Sequence, residues 1–469
     1  MRIAYLHYHL KTGGVTTVIR QQVEAVKNDC ETLVFAGSLP ASDFPAQVIS
    51  VDGLGYDSDS DRPCRPEITA GHILEALHHQ WPDGCDLFHV HNPTLAKNRN
   101  LLKILHHLQN AGARLLCQVH DFAEDGRPQA YFKEPYPADS HWAVINSRDF
   151  RLLREAGLKP EGLHWIPNTV KPLPAGKDSG AEGKRILYPV RAIRRKNIGE
   201  AILLSLFFPP PAELSITRPP NSAADMDSYR DWKNFVRQQG LSVEFEAGLC
   251  CDFEKLVRES RFLLTASITE GFGFSFLEPW TAGKLLWGRR LADICRDFEK
   301  DGVRLDHLYT RLAVPVSWVE KNGFQHRWTE CFRQACTQFK RPASAGEIQR
   351  AWESISADGT VDFGLLDESA QKEVIRSMLH AQDLRHALIE INPFLDHPGR
   401  IEDKDACIAN NREIVLSRYS LPIYRKRLLD AYRQASVRKV RHEVDKTALL
   451  AFFLQPETFS LLKWCPYDR

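Results

Sequence analysis

The sequence predicts an α/β protein of two doubly wound parallel-sheet domains, and three observations predict it. Short β-type runs alternate with helix-length segments along the first third of the chain. A stretch dense in proline, glycine and charge then breaks the order, after which the alternation begins again. The apolar runs finish in polar residues, as strands do whose carboxyl ends face a ligand.

The first domain can be followed run by run. "RIAYLHY" (2–8) reads as a buried strand, "GGVTTVIRQQVEAVK" as a glycine turn into an amphipathic helix, and "ETLVFAG" (31–37) as the next strand. "CDLFHVHN" (85–92), "ARLLCQVHD" (113–121) and "HWAVINS" (141–147) are further strands, each beside a helix-length segment. Such alternation builds a parallel sheet with helices on both faces. "PNTVKPLPAGKDSGAEGKR" (167–185) has the composition of a linker. Beyond it "ILYPVRAI", "AELSITRP", "SVEFEAG" and "RFLLTAS" start a second sheet of the same class. The expected boundaries are 1–175 for the first domain and 185–435 for the second, with 285–410 an atypical helical segment. Residues 436–469 are a helical tail, in which "DKTALLAFFLQPETFSLLKW" reads as an apolar helix packing back on the first domain.

Composition narrows the function. The 469 residues are 43% hydrophobic and 26% charged with a net charge of +1, which excludes a disordered chain and a polyanion-binding surface, so no nucleic-acid partner is expected. The start, "MRIAYLHYHLKTGG", lacks the pattern of a signal peptide, and "AILLSLFF" (201–208) stops at three prolines, far short of a transmembrane span. A cytoplasmic protein is expected, with its eleven scattered cysteines reduced. Residues 1–175 are slightly acidic on balance, which disfavours docking on anionic lipid but leaves peripheral membrane contact open.

The chemistry concentrates in "FLLTASITEGFGFSFLEPWTAGK" (262–284). "RFLLTAS" is a strand and "SFLEPWTAG" the start of a helix, so "ITEGFGF" is the turn between them at the strand's carboxyl end. Glycines there let a ligand approach the backbone, and free amides at a helix start favour an anion. Glu270 and Glu278 flank the turn, where carboxylates suit paired sugar hydroxyls. Against this stands a bland alternative: Ser275 and Glu278 have the spacing of a capping box, and Glu270 reads equally as a solvated loop residue. A second loop favours the ligand. "LYPVRAIRRKNIGEAI" (187–202) puts Arg191, Arg194, Arg195 and Lys196 at the same sheet edge, a set suited to a diphosphate.

Taken together these residues resemble the retaining, GT-B-fold glycosyltransferases of family 4. "ITEGFGFSFLEPWTAGK" resembles the family's E-x7-E signature, "GGVTTVI" (13–19) its first glycine turn, and "HVHNP" (89–93) its D-V-V-H-V-H-N strand end. "VHD" (119–121), "IPNTV" (166–170), "VRAIRRKN" (190–197) and "NREIVLSRYSLPIYRKRLLDAY" (411–432) are similar to further family segments, the last to a helix closing the second domain. The resemblance covers roughly 1–284 and 411–435. It implies a GT-B fold, two Rossmann-like domains facing a cleft, and transfer of a hexose from a nucleotide-diphosphate sugar to an acceptor hydroxyl of unknown identity. It further implies that Arg191 and Lys196 neutralise the leaving diphosphate, that Glu278 holds the ribose, and that Glu270 with the amides of Gly271, Phe272, Gly273 and Phe274 holds the donor sugar. Gly14 approaches the phosphate and His120 the reacting sugar. Fixed cations at the leaving group make a metal unnecessary, so neither metal nor cofactor is expected. A sugar phosphorylase or epimerase on the same fold, or a silent nucleotide-sugar-binding subunit, are the alternatives.

Other motifs are weaker. "DSDSD" (57–61) has a D-x-D spacing but lies in a polar loop far from the signature. His89 and His91 lack a third ligand at strand or helix spacing, and His120–Asp121 lacks a G-x-S-x-G partner. The chain leaves the family pattern after Lys284. There "LLWG" (285–288) reads as a strand that places Arg289 and Arg290 at the ligand edge, where they are expected to meet an acidic acceptor or extra donor charge, or else to cap or to pair with Asp293 or Glu299.

Overall fold

Twelve strands form two parallel sheets. In the first, β1 (Arg2–His7), β2 (Glu31–Ala36), β3 (Gln47–Ser50), β4 (Leu87–His91), β5 (Leu115–Val119), β6 (His141–Val144) and β7 (Leu163–Trp165) lie in the order β3-β2-β1-β4-β5-β6-β7. In the second, β8 (Arg185–Arg191), β9 (Glu213–Arg218), β10 (Val243–Glu244), β11 (Ser260–Thr265) and β12 (Leu286–Gly288) lie in the order β10-β9-β8-β11-β12. Every pairing in both is parallel. This computed structural model describes residues 1–59, 64–174, 184–319 and 323–467. Contacts divide the chain into two units, Met1–Thr169 with Arg418–Leu454, and Val170–Ser417 with Gln455–Arg469.

Each strand expected from the sequence is present, though "SVEFEAG" yields only the two residues of β10. β3 and β7 were not foreseen: both are short, and only Val48 and Ile49 break the polar character of β3. Residues 175–183 of the expected linker lie outside the described residues.

The C-terminal division differs from the expected one. The segment 411–432 is not one helix closing the second domain but parts of two, Lys404–Arg418 and Leu421–Val437, with Pro422 in the first turn of the latter. Tyr424, Leu428 and Tyr432 of the second helix complete the first unit's core with Ile3, Tyr5 and Ile19. The tail is divided too. Asp445 caps a helix over Lys446–Phe453, and Pro456 forbids its continuation. From Gln455 onward the chain packs in the second unit, where Phe459 stacks edge-on against Phe332 at 5.1 Å and takes a hydrogen bond from Trp328 Nε1 at 3.1 Å. Among the described residues no helix is long and apolar enough to cross a membrane, and all eleven cysteines are free thiols.

Candidate functional site

In the second unit the strand order reverses at β8, since β9 and β10 extend to one side of it and β11 and β12 to the other. The loops leaving β8 and β11 therefore emerge side by side at the carboxyl edge, the place where open α/β sheets bind ligands. They are tied together by Ile268 N donating to Arg195 O (3.1 Å) and Arg195 Nη1 donating to Thr269 O (3.3 Å). Tyr188, at the heart of β8, donates its hydroxyl to Lys196 O and lies 3.2 Å from Ser267 Oγ, fixing both loops from beneath. Neither Tyr188 nor Ser267 stood out in the sequence, because polar residues near strand ends carry no signature of their partners.

At the junction Lys196 Nζ meets Glu270 Oε1, and Arg195 Nη1 lies 3.8 Å from Oε2. Glu270 is 9% exposed, so it is no solvated loop residue. Burial pushes its pKa up, but the charges of Lys196 and then Arg195, with hydrogen bonds from Lys196 and Ser267, outweigh burial and hold the carboxyl below its usual value. The result is an ionised acceptor flanked by two cations.

Glu278 is its counterpart in position and its opposite in electrostatics. It is half-buried, no hydrogen bond or ion pair reaches its carboxylate from the described residues, and burial pushes its pKa up to about 7. The capping box does not form. Ser275 Oγ is buried without a hydrogen-bond partner, and the N-cap of the helix is Leu277. That helix is a single turn, Glu278–Thr281, preceded by a 3₁₀ turn over Phe274–Phe276 and closed by Gly283, so the anion cradle expected from a longer helix start reduces to the turn itself. Gly273 there has φ +89°, and a Cβ would meet Ile294 Cγ2 and Phe276 Cδ2 at 2.9 Å. Gly271 is half-buried; Phe272 packs edge-on against Phe274 (4.9 Å) and Phe298 (5.7 Å), which shapes the turn from its apolar side.

The cations of the β8 loop divide by role. Arg191, half-buried at the end of β8, forms no ion pair with a carboxylate among the described residues. Arg194 instead grips Glu368 with two bonds (2.6 and 2.9 Å) and reaches the carbonyl of Cys465, so it anchors the C-terminal tail. Arg289 and Arg290 do not stand as open specificity groups. Arg290 forms two bonds to Glu299 (2.7 and 2.6 Å), the internal pairing that the sequence had offered as an alternative. Arg289 is 4% exposed and lies between Glu200 and Asp362, residues 89 and 73 positions away along the chain.

In the first unit the reversal falls between β1 and β4. Gly14 opens the helix Gly14–Val26 directly after the β1 loop; Gly13 precedes it in extended conformation without a side-chain cap, and a Cβ on Gly14 would meet nothing within 4 Å. His120 follows β5. Burial lowers its pKa to about 4 against the opposing charge of Asp121, so the imidazole is neutral at pH 7. Its Nε2 lies 2.9 Å from His91 Nδ1 with the rings stacked, and Asn92, at φ +53°, accepts from the backbone N–H of His120 (2.7 Å) and Asp121 (3.2 Å). Asn92 was legible only as the end of the "HVHN" strand. His89 uses both ring nitrogens on Tyr432 (2.9 Å) and Gln118 (2.8 Å), which removes it as a metal ligand. Asp57 and Asp59 engage Arg99 and Lys11 instead of forming a metal pair, and Asp61 lies outside the described residues. No group of three potential metal ligands occurs among the described residues.

Two parallel α/β units with their loops gathered at the carboxyl edges define a class: the architecture is the GT-B fold of glycosyltransferases. Sucrose-phosphate synthase from Thermosynechococcus elongatus superposes with a TM-score of 0.54 at 14% identity, covering 92% of this chain and 98% of that one. Anabaena HepE, in its complex with UDP-glucose, gives 0.54 at 13% identity over the same shares. In sequence, the mannosylglucosyl-3-phosphoglycerate synthase of Petrotoga mobilis is 25% identical over 367 residues, 69% of this chain and 71% of that protein. No protein-family model matches the chain.

Proposed function

We propose that the chain is a retaining glycosyltransferase of the family 4 type, acting in the cytoplasm, that moves a hexose from a nucleotide-diphosphate sugar to an acceptor hydroxyl without a metal. The observation that carries this is the part-buried Lys196–Glu270 pair where the β8 and β11 loops meet, with Arg191 at the end of β8 and Glu278 opening the helix that follows the β11 turn. Glu270 accepts hydrogen bonds from donor-sugar hydroxyls alongside the Gly271–Phe274 backbone, Glu278 takes the ribose hydroxyls, and Arg191 and Lys196 face the diphosphate. In the reaction the bond from the anomeric carbon to the diphosphate oxygen breaks and its electron pair leaves with the diphosphate. The acceptor oxygen bonds to the anomeric carbon on the same face, and its proton passes to the departing diphosphate. Cations fixed at the leaving group stabilise that charge with no reorganisation. Within the first unit, His120 is neutral and held by His91 and Asn92, which suits a sugar hydroxyl, and the open space at Gly14 suits a phosphate. The UDP-glucose bound by HepE supports a nucleotide-sugar donor, and the glycosylated product named for the Petrotoga enzyme supports sugar transfer to an acceptor.

Transfer assayed by NMR from UDP-, GDP- and ADP-linked hexoses tests this reading. The product is expected to keep the donor's anomeric configuration, and the rate to survive EDTA. An inverted product, or a rate abolished by EDTA and restored by a divalent cation, would remove the chain from this chemistry.

A further inference from the structure

The turn that presents Lys196 is held from behind by a buried ionic network reaching into the segment after Lys284, where the sequence leaves the family 4 pattern that it resembles. Asn197, directly after Lys196, adopts the left-handed conformation (φ 50°, ψ 54°), which non-glycine residues enter only with local support. Its side chain supplies that support. Nδ2 donates to Glu200 Oε2 at 2.7 Å, and Oδ1 accepts from Gln371 Nε2 at 2.9 Å. Glu200 is fully buried, and three donors besides Asn197 fix its carboxylate: Arg289 Nε to Oε1 (2.8 Å), Arg289 Nη2 to Oε2 (2.7 Å) and the Tyr309 hydroxyl to Oε1 (2.6 Å). The other edge of the Arg289 guanidinium holds Asp362 at 2.8 and 2.7 Å. A continuous path thus runs Asp362, Arg289, Glu200, Asn197 and into the Lys196 backbone.

A buried guanidinium between two carboxylates is a weak device for stability, since apolar packing of equal volume does as well. Its distinctive property is geometry. The planar fork fixes Glu200 in one orientation, Glu200 fixes Asn197, and Asn197 sets the chain direction at which Lys196 leaves the turn toward Glu270.

We propose that Arg289 is a positioning residue for transfer, acting through Glu200 and Asn197 to hold the Lys196 ammonium where the leaving diphosphate develops charge. This rests on the donor-site reading above. A cation displaced by about 1 Å loses on the order of 100-fold in rate, so a network this remote has a measurable effect.

Two variants leave the charged groups of the donor loop untouched. Asn197→Gly tolerates the left-handed backbone and removes both side-chain bonds; Tyr309→Phe removes one hydroxyl from Glu200 and nothing else. Diphosphate release is measured with whichever of the UDP-, GDP- or ADP-hexoses reacts fastest. Asn197→Gly is expected to lower kcat on the order of tenfold and Tyr309→Phe about threefold, with KM for the nucleotide sugar within about twofold. In a Lys196→Ala background the Asn197→Gly effect is expected to vanish, because the path then ends on nothing. A structural role would not show that coupling. Unchanged kcat in Tyr309→Phe, or the same Asn197→Gly factor with and without Lys196, overturns the proposal; should Asn197→Gly fail to fold, Tyr309→Phe with and without Lys196 decides by the same rule. A Lys196→Ala protein that keeps the wild-type rate instead overturns the donor-site reading itself.

Discussion

The two glutamates of the signature differ in what surrounds them, and that difference has consequences. For Glu270, Lys196 and Arg195 keep the carboxylate ionised, so Glu270→Gln is expected to cut transfer on the order of 100-fold while the fold persists, as read from kcat and circular dichroism. For Glu278, burial favours the protonated form. The folded chain therefore binds a proton, between the ordinary carboxyl pKa and about 7, that the unfolded chain has lost. The stability this contributes is full at low pH and disappears as pH rises through 7. Glu278→Gln should accordingly raise the melting temperature of the ligand-free protein at pH 8 and leave it unchanged near pH 4; a lower melting temperature at pH 8 would contradict this environment for Glu278. Both positions were legible in sequence from their spacing around two glycines. Their opposite titration was not, because it depends on Lys196, some 74 residues from Glu270 along the chain. The same holds for Arg289, whose two carboxylates come from other elements and convert an expected ligand contact into internal support.

Among the elements, the turn between β11 and the one-turn helix carries the strictest backbone requirement. Gly273 combines a positive φ with a crowded Cβ position, so Gly273→Ala is expected to cost about 2 kcal/mol and lower the melting temperature of its unit by roughly 4–8 °C, measured by differential scanning calorimetry. An unshifted transition would mean that the turn relaxes freely. The sequence located this turn because strand, glycines and apolar run follow in order. It overstated the helix after it: Pro279 and Gly283 stand too close to leave more than four residues between Leu277 and Ala282. In the tail, the reading of one apolar helix missed the arithmetic of Pro456, whose ring ends the Lys446–Phe453 helix and sends the remaining aromatic residues elsewhere.

For the whole molecule, the division into units was legible and the assignment of its last fifty residues was not. Hydrophobic periodicity reveals that the Leu421–Val437 helix has an apolar face but not which core receives it. Here Tyr424 and Tyr432 hydrogen-bond Gln22 (2.9 Å) and Tyr5 (2.8 Å), tying that helix to the Gly14–Val26 helix and to β1. Gln455 onward closes the second unit through Phe459 and Trp464, which stack at 5.4 Å. Ending the chain at Leu454 should therefore destabilise the second unit, whose sites include Glu270 and Lys196, and abolish nucleotide-sugar binding. Retained binding by the shortened chain would show that the tail is dispensable for the site.

Isothermal titration of the full chain with UDP-, GDP- and ADP-hexoses decides whether the Lys196–Glu270 junction is a nucleotide-sugar site. At least one of them is expected to bind the wild type, with the affinity lost on the order of tenfold or more in Arg191→Ala/Lys196→Ala while the melting temperature without ligand stays within a few degrees. Binding of none of the three classes, or equal affinity in wild type and the double variant, would contradict that assignment.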